Sequence, residues 1–155
     1  WLAIRYQGEG QHNKSMQMLQ RAYELDPLNA TLGQNMSWWA FARGAVDDAK
    51  RYMQQVLDRD PLNANVWQAK SIWFYYGIFD LDISLEAALR AQELEPESTE
   101  FSLSVAFSCL SLGEYRCARL WVERTRRVSP DDNRVVAAMD LLARAEGDQG
   151  GGGEG

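Results

Sequence analysis

Apolar residues recur along this chain at helical spacing. Met16, Leu19 and Tyr23 stand at i, i+3 and i+7, and Ala49, Met53, Val56 and Leu57 at i, i+4, i+7 and i+8. Each set makes a stripe down one face of a helix. No Val/Ile/Thr alternation marks a strand. Cap residues precede the runs, such as Asn29 before Ala30 and Asn63 before Ala64, where a short polar side chain suits the free backbone amides of a first turn. The pattern predicts nine helices, at roughly 1–7, 11–25, 30–42, 46–58, 64–76, 81–94, 98–111, 115–128 and 132–145.

A longer period overlies the helical one. The four prolines, Pro27, Pro61, Pro96 and Pro130, are spaced by 34, 35 and 34 residues. Around the first two the chain repeats itself as Asp26-Pro27-Leu28-Asn29-Ala30 and Asp60-Pro61-Leu62-Asn63-Ala64, with looser versions at Glu95-Pro96 and Ser129-Pro130. Twelve residues before each proline stand Ser15, Ala49, Ser84 and Ala118, and five before stand Ala22, Val56, Ala91 and Thr125. Small residues at a fixed offset let two helices approach closely. Seventeen before stand Gly10, Gly44 and Gly113, which supply turns between helices. In the remaining unit Gly77 lies two places off register, which fits one extra residue in its turn. Such a period signals a stacked repeat.

A helix–turn–helix unit of this length, with small residues, a turn glycine and a closing proline, resembles the tetratricopeptide repeat. The resemblance covers residues 1 to about 146. In the unit starting at Ala64, Trp67 and Phe74 match the family's aromatic positions, while Lys70 and Ser71 replace its Leu-Gly pair. In the unit starting at Ala30, Gly33 stands where the family has a large residue. The resemblance implies an all-α fold, a right-handed superhelical solenoid of antiparallel helix pairs. The array divides into a truncated repeat (1–29), three full repeats (30–63, 64–98, 99–132) and a terminal helix (133–146). That helix is either a cap or the first half of another unit. Residues 147–155 hold six of the chain's twelve glycines and are expected to form a flexible tail. Trp1-Leu2-Ala3-Ile4-Arg5-Tyr6 reads as the middle of a helix rather than a signal peptide, so the chain is expected to be a piece of a longer protein. Its compartment, cytoplasmic or periplasmic, stays unassigned.

Composition narrows the chemistry. A net charge of −6 and a pI near 4.8 argue against a nucleic-acid clamp. With one histidine and two cysteines, the chain lacks the ligands of a multi-histidine or cysteine-rich metal site. No apolar run reaches the ~18–20 residues of a membrane span. His12 has no partners in sequence and reads as a surface residue. The pairs Asp47-Asp48 and Asp131-Asp132 fall at helix starts, where carboxylates favour the helix dipole. Cys109 falls in an apolar stripe and is expected to be a small core residue; helix-pair geometry could bring Cys117, on the second helix of the same unit, within disulfide reach, but the expectation is no bond. Arg116, Arg119, Arg124, Arg126 and Arg127 make the helix 115–128 locally basic, as a solvated face or a dock for an acidic surface. No catalytic constellation or cofactor motif is visible, so the expectation is a non-enzymatic chain without cofactors.

The 17 aromatics point instead to binding. The helix at 64–76 carries Val66, Trp67, Ile72, Trp73, Phe74, Tyr75 and Tyr76, and the helix at 30–42 carries Leu32, Met36, Trp38, Trp39 and Phe41. Both are apolar nearly all round, unlike an ordinary surface helix. The resemblance implies that first helices line a concave groove that takes an extended or helical peptide. Eleven residues after each proline stand Trp38, Ile72, Phe107 and Leu141, and fourteen after stand Phe41, Tyr75, Leu110 and Arg144. These registers do not suit the family's clamp for an acidic chaperone tail, which uses Lys, Arg and Asn. They suit an apolar peptide or amphipathic helix, anchored by Trp38, Phe41, Ile72, Tyr75, Tyr76 and Phe107. Gln34, Asn35, Asn65 and Gln68 would hydrogen-bond its backbone. The alternatives are a second copy of the chain in the groove, or a structural spacer in a larger assembly such as a bacterial secretion, pilus or envelope complex.

Overall fold

The computed structural model describes residues 9–150. Among them are eight α-helices: α1 (Glu9–Leu25), α2 (Ala30–Ala42), α3 (Val46–Arg59), α4 (Ala64–Trp73), α5 (Leu81–Leu94), α6 (Thr99–Ser111), α7 (Tyr115–Val128) and α8 (Asn133–Gly150). A single π-helical turn, Phe74–Ile78, continues α4. No strand occurs among the described residues. The helix expected at 1–7 lies outside them. α8 runs past the expected end at 146, so the helix includes the first glycines of the segment expected to be a tail. Adding a residue to a nucleated helix gains one hydrogen bond for each residue ordered. Residues 151–155 lie outside the described chain.

Two compact units divide after Leu62. In the first, α2 and α3 pair, and Met36, Ala40, Ala49, Met53, Val56 and Leu57 are buried. Tyr23 of α1 meets Tyr52 of α3 edge to face, ring centroids 5.7 Å apart, and its hydroxyl donates to Gln55 Oε1 at 3.1 Å. Ala49 is the small residue that permits the close crossing: the Ser37 hydroxyl donates to its carbonyl at 2.7 Å.

In the second unit α4 pairs with α5 and α6 with α7, and α5 also packs on α6. Ala88, Leu103, Val105, Ala106, Cys109, Ala118, Val122, Val135, Ala138 and Leu142 form its main core. Small residues again lie at the crossings: Ser84, Ala91 and Ala118 have no exposed surface. The Asn29, Asp80 and Ser98 side chains cap α2, α5 and α6 by accepting from the backbone amides of Leu32, Ile83 and Phe101. Asn63 takes the capping backbone position of α4, but its side chain makes no capping bond.

The turns show where the 35-residue spacing goes. Gly44 and Gly113 adopt left-handed φ values of +77° and +76°. After Gly44 the Ala45 amide donates to Ala40, five residues back, and after Gly113 the Glu114 amide donates likewise to Cys109. These bonds close their helices in the usual left-handed manner. In the third turn the Asp80 amide reaches back six residues, to Phe74. The left-handed residue there is Phe79, at φ 58°. Gly77, expected to be the turn glycine, lies inside the π-helical turn instead. An inserted residue in a helix is commonly absorbed as one π turn. The extra residue is therefore taken up inside the helix, and the turn keeps its register.

The cysteines correct a second expectation. Cys109 and Cys117 are joined by a disulfide, with Cα atoms 5.9 Å apart. This lies within the range a disulfide spans. The tight α6–α7 turn at Gly113 brings the two helix faces together, which sequence spacing alone does not reveal.

Candidate functional site

The first helices of the second unit present their outer faces to one cleft. Gln68, Ser71 and Ile72 of α4, Tyr75 and Tyr76 of the π turn, Leu103, Ser104, Phe107 and Ser108 of α6, and Glu100 and Arg134 at helix starts line it. Its volume is about 190 Å3. That is below the ~300–1,000 Å3 of a small-molecule site.

The walls are apolar and partly wet. Tyr76 is 71% exposed and Ile72 42%. Tyr75 and Tyr76 meet edge on, ring centroids 4.6 Å apart, and Tyr75 Oη lies 2.6 Å from Ser111 Oγ. That bond fixes the Tyr75 ring against α6. The π turn bears on this arrangement. It widens the last turn of the α4 segment, so Tyr75 and Tyr76 project from a different helical phase than an uninterrupted helix would give.

The floor is polar. Ser84 of α5, wholly buried, donates to the Ser71 carbonyl at 3.0 Å, with its Oγ 3.1 Å from Ser108 Oγ and 3.3 Å from Ser71 Oγ. Gln68, also buried, donates from Nε2 to Ser104 Oγ at 2.6 Å. Gln68 Oε1 is buried without a hydrogen-bond partner. At the rim, Arg134 Nη2 lies 2.8 Å from Asp132 Oδ2. The hydrogen bonds from Arg134 hold the Asp132 carboxyl below its ordinary range; the same bond raises the Arg134 guanidinium, and Glu100 adds to it through its charge.

Of the residues expected to bind, the cleft gathers Gln68, Ile72, Tyr75, Tyr76 and Phe107. Asn65 is exposed at the start of α4 and is not among its lining. Trp38, Phe41, Gln34 and Asn35 belong to the first unit. There Trp38 is 54% exposed and its ring lies 6.2 Å from that of Phe41. Gln34 is half-buried and Asn35 exposed. Counting by registers missed the serine floor, Leu103 and the rim pair Glu100 and Arg134. Of these serines only Ser84 stands at a repeated small-residue offset, and there its sequence signal is that of packing. Among the described residues no group of three or more His, Cys, Asp or Glu could hold a metal ion. No helix among them is long and apolar enough to cross a membrane.

A family model described as tetratricopeptide repeat matches residues 6–71. The chain is similar to the tetratricopeptide repeat family over that stretch. Its helix pairs, small crossing residues and left-handed turns are those of the all-α solenoid fold of that family. None of the curated proteins matches the chain by sequence. Among solved structures, the chain is similar to PilF of Pseudomonas aeruginosa at 21% identity and TM-score 0.74, covering 99% of this chain and 75% of that one. It is similar to PilW, described as a widely conserved type IV pilus biogenesis factor, at 17% identity and TM-score 0.72, covering 96% and 67%. It is also similar to the first tetratricopeptide domain of Spaghetti (RPAP3), solved bound to the HSP90 peptide SRMEEVD, at 15% identity and TM-score 0.66, covering 76% and 93%. At these identities the likeness is one of fold.

Proposed function

We propose that this chain is a tetratricopeptide repeat protein and a non-enzymatic interaction module, acting as scaffold, adaptor or chaperone, and that it binds an apolar peptide segment or one face of an amphipathic helix. The observation that carries this reading is the cleft of the second unit. Ile72, Tyr76 and Phe107 leave apolar surface around a concave site too small for a whole metabolite but suited to side chains of a peptide. The peptide bound to the structurally similar Spaghetti domain supports a peptide ligand in general. The side chains here favour a different chemistry from that acidic peptide, since the cleft holds one arginine, Arg134, already paired with Asp132. Trp38 and Phe41 form a second apolar pair on the first unit and are proposed as further anchors.

Selection of random peptides on the full chain tests this. Enrichment of sequences with aromatic and aliphatic residues, lost on a Tyr76→Ala/Phe107→Ala surface, is the expected result. Absence of enrichment, or equal capture by the variant, would refute it.

A second reading, a structural spacer in a larger assembly, is favoured by the similarity to PilF and PilW and by apolar surface on α8. There Val136, Met139 and Leu141 are 50%, 40% and 48% exposed. Sedimentation at micromolar concentrations separates the two: a dimer that persists on dilution supports self-assembly, and a monomer supports peptide binding.

A further inference from the structure

Gln68 is a buried amide with one of its two ends unmet. Nε2 is held by Ser104 Oγ at 2.6 Å, whereas Oε1 is shielded from water and accepts nothing. A buried acceptor left unpaired is costly, and native structures seldom keep one without a reason. This one belongs to the lining of the apolar cleft. Its neighbours do not satisfy it: the Ser71, Ser84 and Ser108 hydroxyls are engaged among themselves and with the Ser71 carbonyl. Reaching it from the cleft requires the amide to turn about its terminal torsion, which is soft, and to give up the Nε2 bond to Ser104.

The occupant that fits must supply a hydrogen-bond donor at the end of an apolar body. Size narrows it further. A cleft of about 190 Å3 suits one large side chain. Charge excludes a lysine or arginine tip, because no carboxylate lies on the floor to meet it, and Glu100 is exposed at the rim. Burying a cation without a partner is prohibitive. Indole is a flat apolar ring with one N–H donor and no acceptor, which matches an environment of Ile72, Tyr76, Leu103 and Phe107 around one free acceptor.

We infer that the cleft takes a tryptophan side chain of the partner, and that Gln68 Oε1 reads its indole N–H. This rests on the cleft being the site for an apolar segment, and it makes Gln68 a specificity-determining residue rather than a general backbone contact.

Indole and benzothiophene test it as probes. The two have nearly the same shape, but sulfur replaces the N–H in the second. Binding to the full chain is followed by NMR at the Ile72 and Leu103 methyl groups and the Gln68 side-chain amide. Wild type should prefer indole by roughly fivefold, the strength of one neutral hydrogen bond, with the Gln68 amide signal shifting. Gln68→Met, with the same length and no amide, should lose that preference while still binding both. If wild type binds benzothiophene as tightly as indole, or if Gln68→Met keeps the preference, the role of Gln68 is overturned while the apolar cleft stands. If neither probe moves the Ile72 and Leu103 signals, the cleft is not the site and both readings fall.

Discussion

Phe79 occupies the left-handed turn position that Gly113 fills in the next unit, at φ 58° against +76°. A side chain in that conformation costs about 1–2 kcal/mol relative to glycine. The Phe79 ring recovers little of this by burial, since it is 78% exposed. Phe79→Gly should therefore stabilise the chain. The gain is reduced by the greater freedom of glycine in the unfolded state, leaving about 0.5–1 kcal/mol. The reverse change, Gly113→Ala, has open space for its methyl group except for a 4.0 Å approach to the Tyr115 hydroxyl. It should lose about 1 kcal/mol through conformation alone. Urea midpoints for the two variants should move in opposite directions.

The Cys109–Cys117 disulfide joins α6 to α7 across eight residues. For a loop that short, chain-entropy reasoning gives about 2.5 kcal/mol of stabilisation. Cys109 has no exposed surface and packs among Val105, Ala106 and Ala118, so alanine is a fitting replacement there. The variant Cys109→Ala/Cys117→Ala should melt about 5–10 °C lower than the oxidised chain. A reductant should lower the wild-type midpoint and leave the variant unmoved. A wild-type midpoint indifferent to reductant would show that the bond is not formed in solution.

The repeat was legible in sequence because its marks are local. Prolines, small residues and turn glycines act within one helix–turn–helix unit, and Ala49, Ser84 and Ala118 are indeed buried at helix crossings. The helix periods, read from apolar stripes, agree with α2 through α7 to within a few residues. What escaped depends on helical phase and on depth. Gly77 was the natural choice for the third turn, since glycine is the residue that adopts left-handed φ freely. The π turn shifted that role to Phe79, and no propensity predicts a phenylalanine there. The Cys109–Cys117 bond escaped because eight residues of separation say nothing about which faces two antiparallel helices turn toward each other. In the cleft, large residues such as Ile72, Tyr76 and Phe107 were visible by register. Ser84 was read only as a small packing residue, although its hydroxyl bonds Ser71 and Ser108, which line the cleft.

Gly33 marks a close approach of α2 to α3. A methyl group added there would lie 2.3 Å from Val56 Cγ2. Val56 is buried and, being β-branched, has little rotamer freedom to yield. Replacing a mid-helix glycine by alanine ordinarily gains about 1 kcal/mol, while overpacking a core costs about 1–3 kcal/mol. Gly33→Ala should therefore lose about 1 kcal/mol net. In a Val56→Ala background the clash disappears, and the same change should stabilise. A double-mutant cycle by urea denaturation should give a coupling of at least about 1 kcal/mol; additive effects would place the two residues farther apart than the fold does.

Tyr76 and Tyr75 are neighbours with unequal parts in binding. Tyr76 is 71% exposed, so its ring contributes little to the folded chain and is free to be covered by a ligand. Tyr75 is half-buried and tied to Ser111 at 2.6 Å, so its ring orders the cleft wall. Truncating a large aromatic anchor commonly costs about 2 kcal/mol or more, or roughly 30-fold in Kd. Tyr76→Ala should weaken a selected peptide by that amount with the melting temperature unchanged. Tyr75→Phe keeps the ring and removes only its hydrogen bond, so affinity should fall by a few-fold at most, with a loss of stability of about 1 kcal/mol. Trp38→Ala, on the other unit, serves as a control: a peptide that spans only the cleft should not notice it. Titration of these variants with selected peptides, followed by calorimetry, reads these differences directly. Equal affinities for Tyr76→Ala and wild type would remove the cleft from the binding surface.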